Sequence, residues 1–209
     1  MAFGSPQWMY ASGQDFTLDQ SLKFDDPRDT HLSRTVTSDS NMKTYTISCW
    51  VKLHEDIAAT QPIFSSYVDA NNYTRLTFIS GNKLSFMTLS GGNWAMVNKG
   101  VPLMRDLNAW YHVVLAVDTT QGTNTNRVKM YVNGTQISTE ENTWPSQNAD
   151  TFINDASGPH YLGRDDTTGV NMSMAEFHLI DGTALTPTSF GETGDYGEWK
   201  PIEVSGLTY

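Results

Sequence analysis

The densest apolar patterning in this chain lies between Trp110 and Ile137. Tyr111 to Val117 is a near-continuous apolar run, rich in β-branched residues and closed by Asp118, which predicts a strand buried on both faces. Thr119 to Asn126 contains one glycine and no apolar residue and reads as a loop. Arg127 to Val132 then alternates: Val128, Met130 and Val132 point one way, Lys129 and Tyr131 the other. Asn133-Gly134 follows. That pair after an alternating run predicts a tight hairpin into a third strand, because both turn residues must take positive φ.

The same reading extends over the rest of the chain. Ser21 to Phe24 and His31 to Val36 predict short strands, separated by the turn Asp25 to Asp29. Tyr45 to Leu53 sets Tyr45, Ile47, Cys49, Val51 and Leu53 against Thr46, Ser48, Trp50 and Lys52, as expected of a strand at or near the centre of a sheet. Pro62 to Val68, Tyr73 to Ser80 and Lys83 to Leu89 predict three antiparallel strands, with Ser80-Gly81-Asn82 turning between the last two. Asn93 to Val97 adds a short strand, and a long loop runs from Thr143 to Pro159. Tyr161 to Arg164 and Met172 to Ile180 complete two packed antiparallel sheets. Thr186 to Phe190 reads as one helical turn, with Thr186 as N-cap and Pro187 at the first helical position. The expected fold is an all-β antiparallel sandwich over residues 15–190, with Trp50 and Tyr111 filling space between the sheets. An aromatic arm (1–14) precedes it and an extended tail (191–209) follows.

Composition narrows the function. The formal charge is −10 and the pI about 4.7, and the 13 basic residues form no run. A phosphate-binding surface needs clustered Lys and Arg, so nucleic acid is not an expected partner. No apolar stretch approaches membrane-spanning length. The opening MAFGSPQWMY has neither a basic start nor an apolar core, so no signal peptide is read there. The single cysteine, Cys49, sits among strand apolars and reads as a buried thiol.

Several of these segments resemble a known family. Trp110-Tyr-His-Val-Val and Val128-Lys-Met-Tyr-Val-Asn-Gly look like the middle of laminin G-like, or concanavalin A-like, jelly-roll domains. Tyr45 to Lys52, Tyr161 to Arg164 and Met174 to Asp181 with Ala184-Leu185-Thr186 resemble further strands of that fold, in the right order. The ends carry a narrower resemblance. Asp19 to Phe24 with His31 to Thr35, and above all Ile180 to Thr193 with Gly197-Glu198-Trp199-Lys200-Pro201, are similar to the opening and closing segments of laminin G-like proteins encoded by tailed bacteriophages. The resemblance implies a structural virion protein: a capsid decoration, head fibre or tail-associated protein, made in the bacterial host cytoplasm. Its partners would be other copies of itself and other virion proteins.

The family resemblance also raises chemistry to be tested. Some sugar-cleaving enzymes share the fold, but retaining glycosidases need two carboxylates about 5 Å apart, and the family signature Glu-x-Asp-x-Glu is missing here. The acids fall in turns or stand singly, as Glu176 does, and His31, His54, His112, His160 and His178 show no metal-ligand spacing on one element. A non-enzymatic protein is expected, with no cofactor. Calcium, held by many such relatives, would have to come from Asp155, Asp165 and Asp166 in loops. Glycan binding would use exposed aromatic side chains, with Trp144, Trp94 and Tyr73 as candidates. Assembly candidates are Phe3, Trp8, Met9 and Tyr10 before the first strand and Tyr196, Trp199 and Tyr209 after the last turn, since aromatics and Met favour interface cores. The competing reading is that both tails fold back over their own sheets.

Overall fold

The computed structural model describes residues 16–25, 29–107, 109–207 and 209. In chain order the strands are β1 (Leu22–Phe24), β2 (Leu32–Thr35), β3 (Thr44–Leu53), β4 (Gln61–Asp69), β5 (Asn72–Ile79), β6 (Lys83–Ser90) and β7 (Asn93–Leu103). They continue with β8 (Tyr111–Asp118), β9 (Val128–Val132), β10 (Thr135–Gln136), β11 (Thr139–Thr143), β12 (Pro159–Leu162), β13 (Met172–Asp181), β14 (Gly191–Thr193) and β15 (Trp199–Pro201). One antiparallel sheet has the order β1-β13-β3-β8-β9-β10 and the other β11-β7-β6-β5-β4-β12-β2. The expected all-β sandwich is the observed fold. β7 runs six residues past the expected Val97, because its register against β6 persists to Leu103 opposite Lys83.

Period-two alternation loads the space between the sheets. Tyr45, Ile47, Cys49, Val51 and Leu53 of β3 and Val113, Leu115 and Val117 of β8 meet Leu76, Phe78, Leu84, Phe86 and Met96 from the opposite sheet. Burial of each such side chain stabilises the fold by about 1.5–3 kcal/mol. Tyr111 lies at the rim of this core, half-buried, and its hydroxyl accepts the Asp106 N–H at 3.0 Å. The turn at Asn133 and Gly134 takes φ of 46° and 76°, as the short hairpin requires.

Trp50 corrects the expectation made for it. It is buried, but on the far side of β3, outside the inter-sheet core. There its ring stacks on His112 with centroids 4.9 Å apart, and His112 stacks in turn on Trp199 at 6.0 Å. Alternation dictates this: a side chain one position from Cys49 and Val51 must leave by the other face.

The far face is covered by the end of the chain. Residues 191–209, expected to be an extended tail, form the hairpin β14–β15, and Phe190, Leu185, Val204 and Leu207 pack with Val114, Tyr131 and Ile180 as a second apolar cluster. A 3₁₀ turn at Pro187–Ser189 leads into the hairpin. Thr186 is its N-cap with extended backbone, but its side chain makes no cap bond and its hydroxyl pairs with that of Thr188 instead.

Candidate functional site

The outer face of the seven-stranded sheet carries a cluster of aromatic side chains that alternation and register assemble together. β4 pairs β5 with Tyr67 opposite Tyr73, so both rings rise from the same face and stack at 6.0 Å with planes 15° apart. Arg75, two residues along β5, returns to that face and sets its guanidinium carbon 5.1 Å from the Tyr73 ring centroid. The Gly91-Gly92 turn, with φ of 56° and 76°, brings β7 back so that Trp94 meets the Tyr73 ring edge-on at 6.2 Å. Trp94 stays 47% exposed, which for an indole beside two tyrosines leaves a usable flat face.

Beside Trp94 lies a shallow cavity of about 500 Å³, with Arg75, Met87, Val97, Lys99 and Asn142 among its lining residues. Arg75 is held from behind by Asp165, with Nη1 donating to Oδ2 at 3.0 Å. Aromatic rings with a few fixed polar groups around a concave patch form the usual composition of a small-ligand site.

Of the three glycan candidates, the structure thus brings Tyr73 and Trp94 together and places Trp144 elsewhere. Trp144 is half-buried against the inter-sheet core, while its neighbours Asn142 and Thr143 reach the cavity. Tyr67, Arg75, Met87 and Lys99 were not singled out from the sequence. The usable signal was Tyr73-x-Arg75, two long side chains on one strand face.

The acids take structural parts. Asp165 is buried, with Oδ1 accepting the N–H groups of Thr167 and Thr168 and Oδ2 facing Arg75, so its charge is already compensated. Asp155 Oδ1 accepts the Ser157 N–H at 2.6 Å, closing its own turn. Among the described residues no three His, Cys, Asp or Glu side chains are grouped to hold a metal ion, so Asp155, Asp165 and Asp166 do not converge. Glu176 pairs with His178, Oε2 to Nε2 at 3.1 Å, and the other ring nitrogen lies 2.9 Å from the Tyr209 hydroxyl.

The histidine in the central strand is a structural residue. Trp199 donates its indole N–H to His112 Nδ1 at 2.9 Å, which leaves the proton on Nε2, directed at the Ser48 hydroxyl 2.9 Å away. Burial, with the nearby His178 as a lesser cause, lowers its pKa to about 4, so the ring is neutral near pH 7. Cys49 is fully buried, and burial pushes its thiol pKa up, away from nucleophilic character.

The assembly candidates divide. Phe3, Trp8, Met9 and Tyr10 lie outside the described residues. Trp199 is spent on His112, Tyr209 reaches His178 while remaining 67% exposed, and Tyr196 stands 96% exposed at the hairpin tip.

A family model for laminin G-type domains, described as the concanavalin A-like lectin/glucanases superfamily, matches residues 26–189, and the chain belongs to that superfamily. Similar solved structures include domains LG4-5 of the mouse laminin alpha1 chain (TM-score 0.57, 16% identity, covering 95% of this chain and 48% of that one). The K499G mutant of the NanB sialidase from Streptococcus pneumoniae is also similar (TM-score 0.58, 13% identity, 86% and 29%). A third is the CBM40 of the Ruminococcus gnavus IT-sialidase (TM-score 0.52, 15% identity, 82% and 96%). The chain thus spans about half of the laminin fragment and nearly all of the CBM40. At such identities the likeness defines the fold, which is a lectin-like type found among binding domains. A comparison with curated proteins finds no match.

Proposed function

We propose that this chain is a non-enzymatic recognition domain that binds glycans on the face built by Tyr67, Tyr73 and Trp94. The carrying observation is the exposed Trp94 ring, set edge-on to Tyr73 at 6.2 Å beside a cavity of about 500 Å³. A sugar ring offers apolar C–H faces and a polar rim, which an aromatic platform edged by Arg75, Lys99 and Asn142 complements. Arg75 is fixed by Asp165 and Tyr73 before any ligand arrives, so little ordering would be needed on binding. A glycan array followed by calorimetry on the best ligand tests this reading. Trp94→Ala and Tyr73→Ala should each weaken binding at least tenfold with the melting temperature unchanged. Affinity that survives both substitutions would place recognition elsewhere.

A second reading concerns where the domain is displayed: on a bacteriophage particle, as a capsid decoration, head fibre or tail-associated protein made in the host cytoplasm. It is favoured by the similarity of residues 180–193 and 197–201 to the closing segment of phage-encoded laminin G-like proteins. In this fold that stretch supplies Leu185, Phe190 and Trp199 to the cover over the centre of the six-stranded sheet, which gives so long a motif a physical reason. Its partners would be other copies and virion proteins, with Tyr196 and Tyr209 as surface contacts. Mass spectrometry and immunolabelling of purified particles check this, and absence from the particles would sink it.

A further inference from the structure

The cavity beside Trp94 departs in charge from the chain that builds it. The whole sequence holds 23 acidic and 13 basic residues. Of the described residues lining the cavity, two are basic, Arg75 and Lys99, and none is acidic. Register explains how they meet. Met87 of β6 lies opposite both Arg75 of β5 and Val97 of β7, and Lys99 follows Val97 on the same face. Met87 and Val97 thus form an apolar floor between two cations that stand on different strands. Met87 is buried and Lys99 half-buried, so a charge over this floor is less screened than one on an open surface.

The neighbouring acids do not cancel this charge. Asp165 takes Nη1 of Arg75, and Lys83 takes Glu140, which lies across from Lys99 on β11. Among the described side chains of this region, three cations therefore face two carboxylates. Asp166 and Asp69 act on Tyr67, at the opposite end of the aromatic face. Arg75 is also incompletely satisfied: its Nε is buried and makes no hydrogen bond. An unmet donor on a residue that lines a cavity favours a ligand rich in acceptors. We propose that the glycan bound on this face is acidic, with a carboxylate or sulfate ester held at the Lys99 side of the cavity and its sugar ring against Trp94. This rests on the glycan-binding reading above and adds the class of sugar. An anionic group leaves water only where partners replace its hydration, and Lys99 with Arg75 supplies cationic donors for that. A neutral sugar would meet the aromatic rings equally well, but would take water from the Lys99 ammonium and return no charge.

An array of matched oligosaccharides tests this, with each acidic member printed beside its carboxyl-reduced or desulfated counterpart. The full chain should bind acidic members about tenfold or more above those counterparts. Either anion among the bound members supports the proposal, and carboxylates alone or sulfates alone identify which is read. Equal binding of the uncharged counterparts, lost in Trp94→Ala, would overturn the proposal and leave glycan binding on this face intact. Binding to no member, or binding that Trp94→Ala leaves unchanged, would overturn the reading beneath it and the proposal together. Calorimetry on the best acidic ligand gives an independent readout. Lys99→Gln should weaken binding about tenfold at an unchanged melting temperature and flatten its dependence on sodium chloride, while Lys99→Arg stays within about threefold of the parent. Parental affinity and salt dependence in Lys99→Gln would remove the cation from the site and overturn the proposal.

Discussion

His112 shows how a single residue is tied to pH by its surroundings. Its Nδ1 already accepts the Trp199 indole N–H, so a proton added there would set two donors against each other inside an aromatic stack. The folded-state pKa of about 4 lies below the ordinary 6.5. Between those values the unfolded chain binds the proton and the folded one does not, so stability rises with pH across that window. The contribution is fully present above about pH 6.5 and is lost as pH falls to about 4, a change of about 3 kcal/mol for this group. His160, whose pKa burial also lowers, acts in the same direction. Urea unfolding at pH 7.5 and at pH 4.5 should show the loss. In His112→Gln the pH slope should shrink, with the carboxylates contributing equally to both proteins. An unchanged slope would place the titration on other groups.

At the scale of elements, the Asn133-Gly134 turn joins two hairpins that are far apart in sequence. Gly134 has φ of 76°, and a Cβ built there would lie 2.5 Å from ring atoms of Trp199. Gly134→Ala is therefore expected to destabilise by about 1–3 kcal/mol, from backbone strain and from displacement of the indole. Gly122→Ala, with nothing within 4 Å of the added carbon, should stay within about 0.5 kcal/mol of the parent. Thermal melts of the two variants provide the comparison, and equal melting temperatures would remove the Trp199 contact from the account. The turn itself was legible in the sequence, because Asn-Gly after an alternating run has few other solutions. Its cover was not: Trp199 lies 87 residues beyond His112, and local periodicity holds no information about such a pairing. The expectation for Trp50 went astray for the same reason. Period two separates Trp50 from Cys49 correctly but does not say that both faces are covered, and the apolar pattern of β3 marks only the inter-sheet core. The doubly apolar run of β8 was the available hint, since burial on both sides of a strand demands a third layer. The aromatic face was half legible. Tyr73 and Trp94 stand beside turn glycines or asparagines, whereas Tyr67 joins them only through the β4–β5 register, which apolar patterning alone does not fix.

For the molecule as a whole, three layers act together: the seven-stranded sheet, the six-stranded sheet, and the closing segment over the outer face of the latter. The third layer is small in residue count but large in what it covers. Trp199, Val204 and Leu207 come from it and pack over His112, Val114, Ile180 and Phe190, so the six-stranded sheet has no wet face at its centre. Such a layer could be an appendage added to a sandwich already stable by itself, or part of one cooperative unit. The stacked order Trp50–His112–Trp199 and the bond from Trp199 to His112 favour the second, because the first two members sit in central strands. Removal of residues 194–209 is therefore expected to cost roughly 5 kcal/mol, at about 1.5–3 kcal/mol for each large side chain re-exposed. That is comparable to the whole stability of a typical domain, about 5–15 kcal/mol. The truncated chain should melt well below the parent, in a single broadened transition, and light scattering should report association through the uncovered Trp50 and Phe190. A truncated protein that remains monomeric and melts at the parental temperature would make the closing segment an appendage.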